Sequence, residues 1–591
     1  MIQLQLSAQP WLRPALVSNR SMNPSKNNLH SIEDKFNRYW NDRNPSVREE
    51  ENRAEGGYQQ FKRWDWFMQQ RTYPSGNPIN PEVLFQAYQQ YKLTQPSNRM
   101  NRSVANWQPV GPAAVPSSGG GSGRINVLRV VPGNNSVLYL GTACGGVWKS
   151  TNAGTNWTCL DDFLPSLSVA DIAINPRFTD TVYVATGDGY GYEVSDGFWG
   201  GTYSAGVLMS PDGGATWQAT GLNYAQTNSE IIQRLVIKPD DPRVLLASTR
   251  NGLFRSTDAG ASWTLVRSGH HYDIEFRPSQ PDTVFATDSG NLLWSTDAGL
   301  NWSVRQSSLC NGRLSLAISS NNPNRIYVLC EDANFYRSDD MGLTIQTLTS
   351  PTGANLYGYY DDVLTVSPSN ANVVLCGGMN IVKSTDGGTT WAQVGSSVHS
   401  DQHFFDFQPN SGLVVYSCND GGVYRSANGG SSWLDISHDL RIKQYYRLAQ
   451  SAADPYLLYA GAQDNGTDQL SANAWSQVYG GDGMDCMVDY TNDQNVYVSY
   501  QNGAMQKSTN GGLSFTDISP SSQGVWVTPF AMHPQDPSII YAGCEEVYKS
   551  YDGGLNWSVI SSQQFNASIY SMNVAEANPN YIYAATLDQL L

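Results

Sequence analysis

The chain has 591 residues, more than one ordinary domain, and a formal net charge of −16 with a pI near 4.8. A chain this acidic repels phosphate backbones and anionic lipid, so neither nucleic acid nor membrane insertion is expected, and no apolar run approaches the roughly 18 residues of a membrane span. With 54 Gly, 33 Tyr and 17 Trp against 15% charged residues, the composition indicates turn-rich β structure with aromatic side chains to spare.

The first hundred residues read differently from the rest. "MIQLQLSAQPWLRPALVSNR" lacks the apolar core of a signal peptide, so either the protein stays inside or this is not the start of the precursor. "SIEDKFNRYWNDR" (from Ser31) and "NPEVLFQAYQQYKL" (from Asn80) carry apolar residues at helical spacing. Residues 1–100 are therefore expected to form a short helical or irregular arm, packed on the main body by Trp64, Trp66 and Phe67.

Beyond residue 100 one box returns nine times. It reads Ser-x-Asp/Asn-x-Gly-x-x-aromatic and follows Lys149, Met209, Arg255, Trp294, Arg337, Lys383, Arg425, Lys507 and Lys549, with Ile345 replacing the aromatic once. Short β-branched and aromatic runs surround each box, as in "DDVLTVSP", "NVVLCGG", "NIVKS" and "WAQV". This is the pattern of four strands, A to D, with the box as the C–D turn. The Asp or Asn accepts hydrogen bonds from the turn's own N–H groups, the glycine supplies a positive φ, and the aromatic returns to the core. The motif reads as a structural rivet.

Strand A is expected to begin near Ile125, Val169, Ile232, Tyr272, Leu314, Val363, Phe404, Tyr446, Met484, Pro529 and Tyr570. A period of about 40 residues is that of a propeller blade. The expected fold is an all-β propeller. Residues 101–440 would form a first ring of about seven blades, and 441–591 a second, incomplete ring of four; the alternative is a single ten-bladed ring. The eighth unit has lost its box and the eleventh stops before reaching one. Either "NWQPV" near Trp107 supplies an outer strand, or the chain is a fragment of a longer protein.

A propeller places its A–B and C–D turns on one face and its B–C and D–A loops on the other. The unusual sequence falls on the second face. "GDGYGYEVSDGFWGGTY" contains Asp188, Tyr190, Tyr192, Trp199 and Tyr203, and "LYGYYDD" contains Tyr357 and Tyr360. "CNDGG", "AQDNG" and "GGDGMD" carry Asp420, Asp464 and Asp482. Aromatics beside carboxylates suit sugar rings, by stacking and by accepting hydroxyl hydrogens. In "HSDQH", His399, Asp401 and His403 stand at i, i+2 and i+4 of an extended run and point one way, which makes them candidate ligands for a divalent metal. No cofactor is expected. Cys330, Cys376, Cys418 and Cys544 end the same strand of different repeats, too far apart to pair, and read as small buried hydrophobes; Cys144 and Cys159 share one repeat.

The box resembles the Asp-box, or BNR repeat, of sialidases, sortilin-type receptors and xyloglucan-cleaving hydrolases, all β-propellers. "NWQPVG" and "GGGSGRINVLRVVPGNNSVLYLGTACGGVWKS" resemble the opening of two-propeller xyloglucanases, and "LLYAGAQDNGT" the turn that opens their second propeller. The run from "HSDQHFFDF" to "GGDGMDCMVD" resembles secreted proteins of type IX-secreting, Bacteroidetes-like bacteria. The resemblance implies an extracellular or cell-surface location and a polysaccharide, glycan or protein ligand. It also implies two catalytic aspartates, and here Ala143 stands where the base belongs while Asp464 stands near the acid position. Alanine takes no proton. The expectation is therefore a secreted propeller that binds glycan or protein on the face opposite the boxes, without catalysis. The alternative is a xyloglucanase-type hydrolase with Asp464 as acid and Asp188, Asp420 or Asp482 as a displaced base.

Overall fold

Each box folds into the same hydrogen-bonded turn. In the sixth repeat, Ser384 Oγ donates to Asp386 Oδ1 (2.8 Å) and accepts from the Gly388 N–H (2.8 Å), and Asp386 Oδ1 accepts from the Thr390 N–H (2.9 Å). Gly388 sits at φ +88°, and a Cβ there would lie 2.4 Å from the Phe335 ring of the preceding repeat, so only glycine fits. Asn fills the aspartate's role in three repeats, at Asn152, Asn428 and Asn510. The aromatic that closes the box also ties repeats together. Trp157 Nε1 donates to the Ile436 carbonyl (2.8 Å), Trp391 Nε1 to that of Thr349 (3.1 Å), and Trp557 Nε1 to that of Ile518 (2.7 Å).

A computed structural model describes residues 29–40, single positions between 61 and 76, and 109–590 apart from 117–118, 163, 190–191, 195–196, 200–201, 226–229, 359, 562–564, 566 and 587–589. Among the described residues, ten four-stranded antiparallel sheets follow one another, with their strands in sequence order from inside to outside. Their innermost strands start at Ile125, Val169, Ile232, His271, Leu314, Val363, Gln402, Tyr445, Cys486 and Phe530, and a two-stranded sheet begins at Ser571. Each start lies within two residues of its predicted place. The protein is a β-propeller.

The innermost strands of the first seven sheets, Ile125–Val131 through Gln402–Phe407, pack each on the next, and the seventh packs back on the first. That ring is closed, which rules out the single ten-bladed alternative. Each of its sheets is complete in itself, so closure rests on side chains rather than on a shared strand. The largest core cluster sits at the seam and joins Ile125, Val127, Leu140 and Trp157 of blade 1 to Phe404, Cys418, Val423 and Ile436 of blade 7. The remaining sheets continue beyond it, Tyr445–Gln450 packing on Cys486–Val488 and Phe530–Met532 on Ser571–Val574. The eighth sheet needs no box because its C–D connection is a two-residue hairpin, with Ala472 and Asn473 both at positive φ.

In the arm, the helix Leu29–Trp40 forms, and Trp66 packs with Tyr446, Met484 and Trp526 on the later sheets. Trp64, Phe67, the predicted helix from Asn80, and Trp107 lie outside the described residues. All eight cysteines are free thiols, Cys144 and Cys159 included.

The turn makes a direct prediction. Ser384→Ala leaves the buried Gly388 N–H without its acceptor and should cost about 1–3 kcal/mol of stability, read from urea denaturation. Asp386→Asn should stay close to the parent at neutral pH, because Asn serves in three repeats. Hydrogen bonds from Thr390 and Ser384 hold the Asp386 carboxyl down at about 2. Its stabilising contribution is therefore present above the ordinary carboxylate range and lost as pH falls toward 2, and the Asn variant should lack that part of the acid transition.

Candidate functional site

Two groups of polar side chains occupy the face carrying the B–C and D–A loops. The first lies at the axis of the closed ring. Arg124, one residue before the first strand, pairs with Asp188 beyond the second strand of blade 2, and Asn126 Nδ2 also donates to Asp188 (3.3 Å). Arg124 Nη1 donates to the Tyr360 hydroxyl (3.2 Å), which donates to Asp420 Oδ2 (2.8 Å). His403 Nε2 lies 2.7 Å from Asp420 Oδ1. All six side chains are buried. Burial alone would raise the Asp420 carboxyl, but His403, Arg124 and Tyr360 outweigh it and hold it at about 2.

This arrangement corrects several expectations. Asp188 and Asp420 are held in buried polar contacts rather than facing open space, and the Asp420 carboxyl, held at about 2, has little affinity for a water proton. Tyr360 spends its hydroxyl and its ring inside the network rather than on a ligand. His399, Asp401 and His403 do not converge. Asp401 takes φ +62°, so the strand begins only at Gln402 and the i, i+2, i+4 alternation is broken. His403 then turns to Asp420, while His399 meets the carbonyls of Ser400 (3.1 Å) and Asp464 (3.0 Å). Tyr203 and Tyr357 are half-buried. Tyr192 and Trp199 are opposite each other in the backbone register of a small hairpin, and Tyr190 lies outside the described residues.

The second group lines a cavity of about 400 Å³ where the closed ring meets blades 8 and 9. Its walls include His399 and Asp401 from the loop into blade 7, Asp464 and Gln477 from blade 8, and Asp482 and Gln501 from blade 9. Asp464 sits in the tight B–C turn at φ +56°. Its N–H donates to Asp482 Oδ1 (2.7 Å) and Gln463 Nε2 donates to its Oδ2 (3.1 Å). Gln501 Nε2 donates to Asp482 Oδ2 (2.6 Å). Of the four aspartates singled out from the sequence, the structure thus brings Asp464 and Asp482 together and places Asp188 and Asp420 elsewhere.

The cavity has its position because two turns and one loop are pressed together. Asn465 Nδ2 donates to the carbonyls of Asp420 (3.1 Å) and Gln463 (2.8 Å), joining blade 8 to blade 7. Gly121 runs across both: a Cβ there would come within 2.1 Å of Asn465 Oδ1 and 2.3 Å of the Gly421 Cα. Ala143 is buried, its N–H on the Arg124 carbonyl (3.3 Å). Sequence reasoning missed Arg124, Gln477 and Gln501 because their role depends on loops brought together from different blades. An isolated arginine ahead of an apolar strand was the one local signal. Among the described residues no helix is long and apolar enough to cross a membrane.

No protein-family model matches the chain. Over 162 residues, 26% of this chain, it is 32% identical to a xyloglucanase of Paenibacillus sp, covering 15% of that protein. Over 161 residues, 25% of this chain, it is 30% identical to a xyloglucanase of Acetivibrio thermocellus, covering 18% of it. The chain thus spans less than a fifth of the length of these curated relatives. Among solved structures, an ancestral GH74 enzyme is similar with a TM-score of 0.61 and 17% identity over 81% of this chain and 75% of that one. PorZ, an essential surface component of the type-IX secretion system of Porphyromonas gingivalis, gives 0.50 and 13% over 80% and 63%. At such identities these structures speak for the fold. The curated relatives overturn the expectation of a non-catalytic binding propeller, because they are glycoside hydrolases and favour the hydrolase alternative.

The axial network and the cavity separate by mutation. Arg124→Met leaves Asp188 buried without its cation and should cost about 3–5 kcal/mol, measured by denaturant unfolding. Asp420→Asn should unfold less steeply than the parent between about pH 4 and pH 2, because a carboxyl held at about 2 stabilises the fold above its ordinary pKa and loses that contribution as it protonates.

Proposed function

We propose that the chain is a glycoside hydrolase acting on a β-glucan of the xyloglucan type, in the cavity where the closed ring meets blades 8 and 9. The observation that carries this is the 32% and 30% identity to two xyloglucanases; the carboxylate-lined cavity at Asp464 supports it. Asp464 is the general acid, protonating the glycosidic oxygen as the bond breaks. Asp482 is the base that takes a proton from the attacking water, replacing the aspartate absent at Ala143. Both Asp482 oxygens accept hydrogen bonds, which fix the carboxylate. His399 and Gln477 line the same cavity and supply polar contacts for sugar hydroxyls. A polymeric substrate places the protein outside the cell or at its surface.

Reducing-sugar release tests this on xyloglucan, with cellulose and mixed-linkage β-glucan alongside. The parent should release sugar from xyloglucan, and Asp464→Asn and Asp482→Asn should each lower kcat by about 10²–10⁴-fold with unchanged unfolding curves. No release from xyloglucan by the well-folded parent would overturn the activity. Full activity in Asp482→Asn alone would overturn its assignment as base.

A further inference from the structure

The thiols of Cys310 and Cys330 and the carboxylate of Asp332 all lie within 4.8 Å of one another, on the fifth blade and away from the cavity. Cys310 belongs to the loop leading into the strand Leu314–Ile318, and Cys330 ends the strand Ile326–Cys330, opposite Leu314. From this juxtaposition we infer that Cys310 and Cys330 form a disulfide under oxidising conditions, pinning that loop to the second strand of its blade.

The loop is already held where the bond needs it. The Tyr336 hydroxyl donates to the Leu309 carbonyl (2.8 Å), the Glu331 N–H to that of Arg313 (3.1 Å), and the Arg313 N–H to Glu331 Oε2 (3.0 Å). Little chain entropy remains to be lost on bonding. A disulfide needs its sulfurs about 2.05 Å apart, and the two thiols already lie within 4.8 Å of each other. The surroundings choose between bond and metal. Cys330 is fully buried in an apolar cluster of Phe285, Leu292, Leu314, Leu316, Ile326 and Val328, with Cys310 packed against it. Two thiolates and a divalent ion would bring charge into that cluster, whereas a disulfide is neutral and apolar.

The chemistry balances with a small disulfide such as oxidised glutathione as oxidant. The Cys310 thiolate attacks one glutathione sulfur and releases a glutathione thiolate. Cys330, giving up its proton, then attacks the Cys310 sulfur and releases the second. One protein S–S bond forms, one glutathione S–S bond breaks, and the two thiol protons end on the two glutathiones.

Trypsin places the two cysteines in different peptides, QSSLCNGR and IYVLCEDANFYR, so peptide mapping reads the bond directly. After incubation with oxidised glutathione and alkylation, the two peptides should appear joined, two hydrogens lighter than their sum. Cys310→Ser should abolish the joined species, and oxidation should raise the Tm of the parent but not of the variant. Recovery of both peptides fully alkylated, from protein whose exposed Cys144 has been glutathionylated, would overturn the inference. So would purified protein that retains one zinc per chain, lost in Cys310→Ser, since that result assigns the thiols to a metal.

Discussion

The candidate site depends on a close contact of three backbone segments. Gly121, in the loop leading into blade 1, lies against Gly421 at the B–C turn of blade 7 and Asn465 at that of blade 8. The Ser122 N–H donates to the Gly421 carbonyl (2.7 Å), and Asn465 donates to the Asp420 carbonyl from the other side. A side chain at Gly121 would collide with all of this. The glycine-rich run "GGGSG" is therefore a means of close approach rather than a flexible linker. Because these segments touch, Asp464 and Asp482 line one cavity with His399 and Asp401 instead of lying on separate surfaces.

The ring's axis shows the opposite use of charge. Asp188 and Asp420 look like chemistry in the sequence, yet each is buried and answered by partners, Arg124 among them. Burial of a charge is expensive unless paired and hydrogen-bonded, and Tyr360 and Asn126 complete those bonds. The same logic continues along the axis, where Arg129 pairs with Asp171 (2.7 Å) and Arg234 with Asp273 (3.1 Å) on the innermost strands. Seven sheets meeting around an axis leave space that no single sheet can fill, and neutralised polar pairs fill it here. Asp464 and Asp482 lie outside the axis, at the edge shared with blade 8.

The fold was legible because its signals are local. A box of nine residues fixes its own turn through Ser, Asp and Gly, and short β-branched and aromatic runs around it mark the strands, so strand starts could be placed within two residues. Loss of the box in the eighth unit was visible too, although its cause, a tight hairpin at Ala472 and Asn473, required the structure. The site was legible only in part. Asp464 and Asp482 announce themselves in glycine-rich turns, but nothing in sequence says that Asp188 meets Arg124. The metal reading of "HSDQH" failed at one dihedral angle: Asp401 in the left-handed region ends the extended run before His403. Cys310 escaped notice because its partner lies twenty residues away on the neighbouring strand of the same blade, and the repeat pattern drew attention to cysteines equivalent between blades.

The central claim is that substrate occupies the cavity where the closed ring meets blades 8 and 9. Hydrogen–deuterium exchange with and without a xyloglucan oligosaccharide tests it most directly, using Asp464→Asn so that the sugar is not consumed. The account predicts protection confined to the segments around His399–Asp401, Gln463–Asn465, Gln477–Asp482 and Gln501. Protection confined to the repeated turns on the opposite face, with those four segments unchanged, would contradict it.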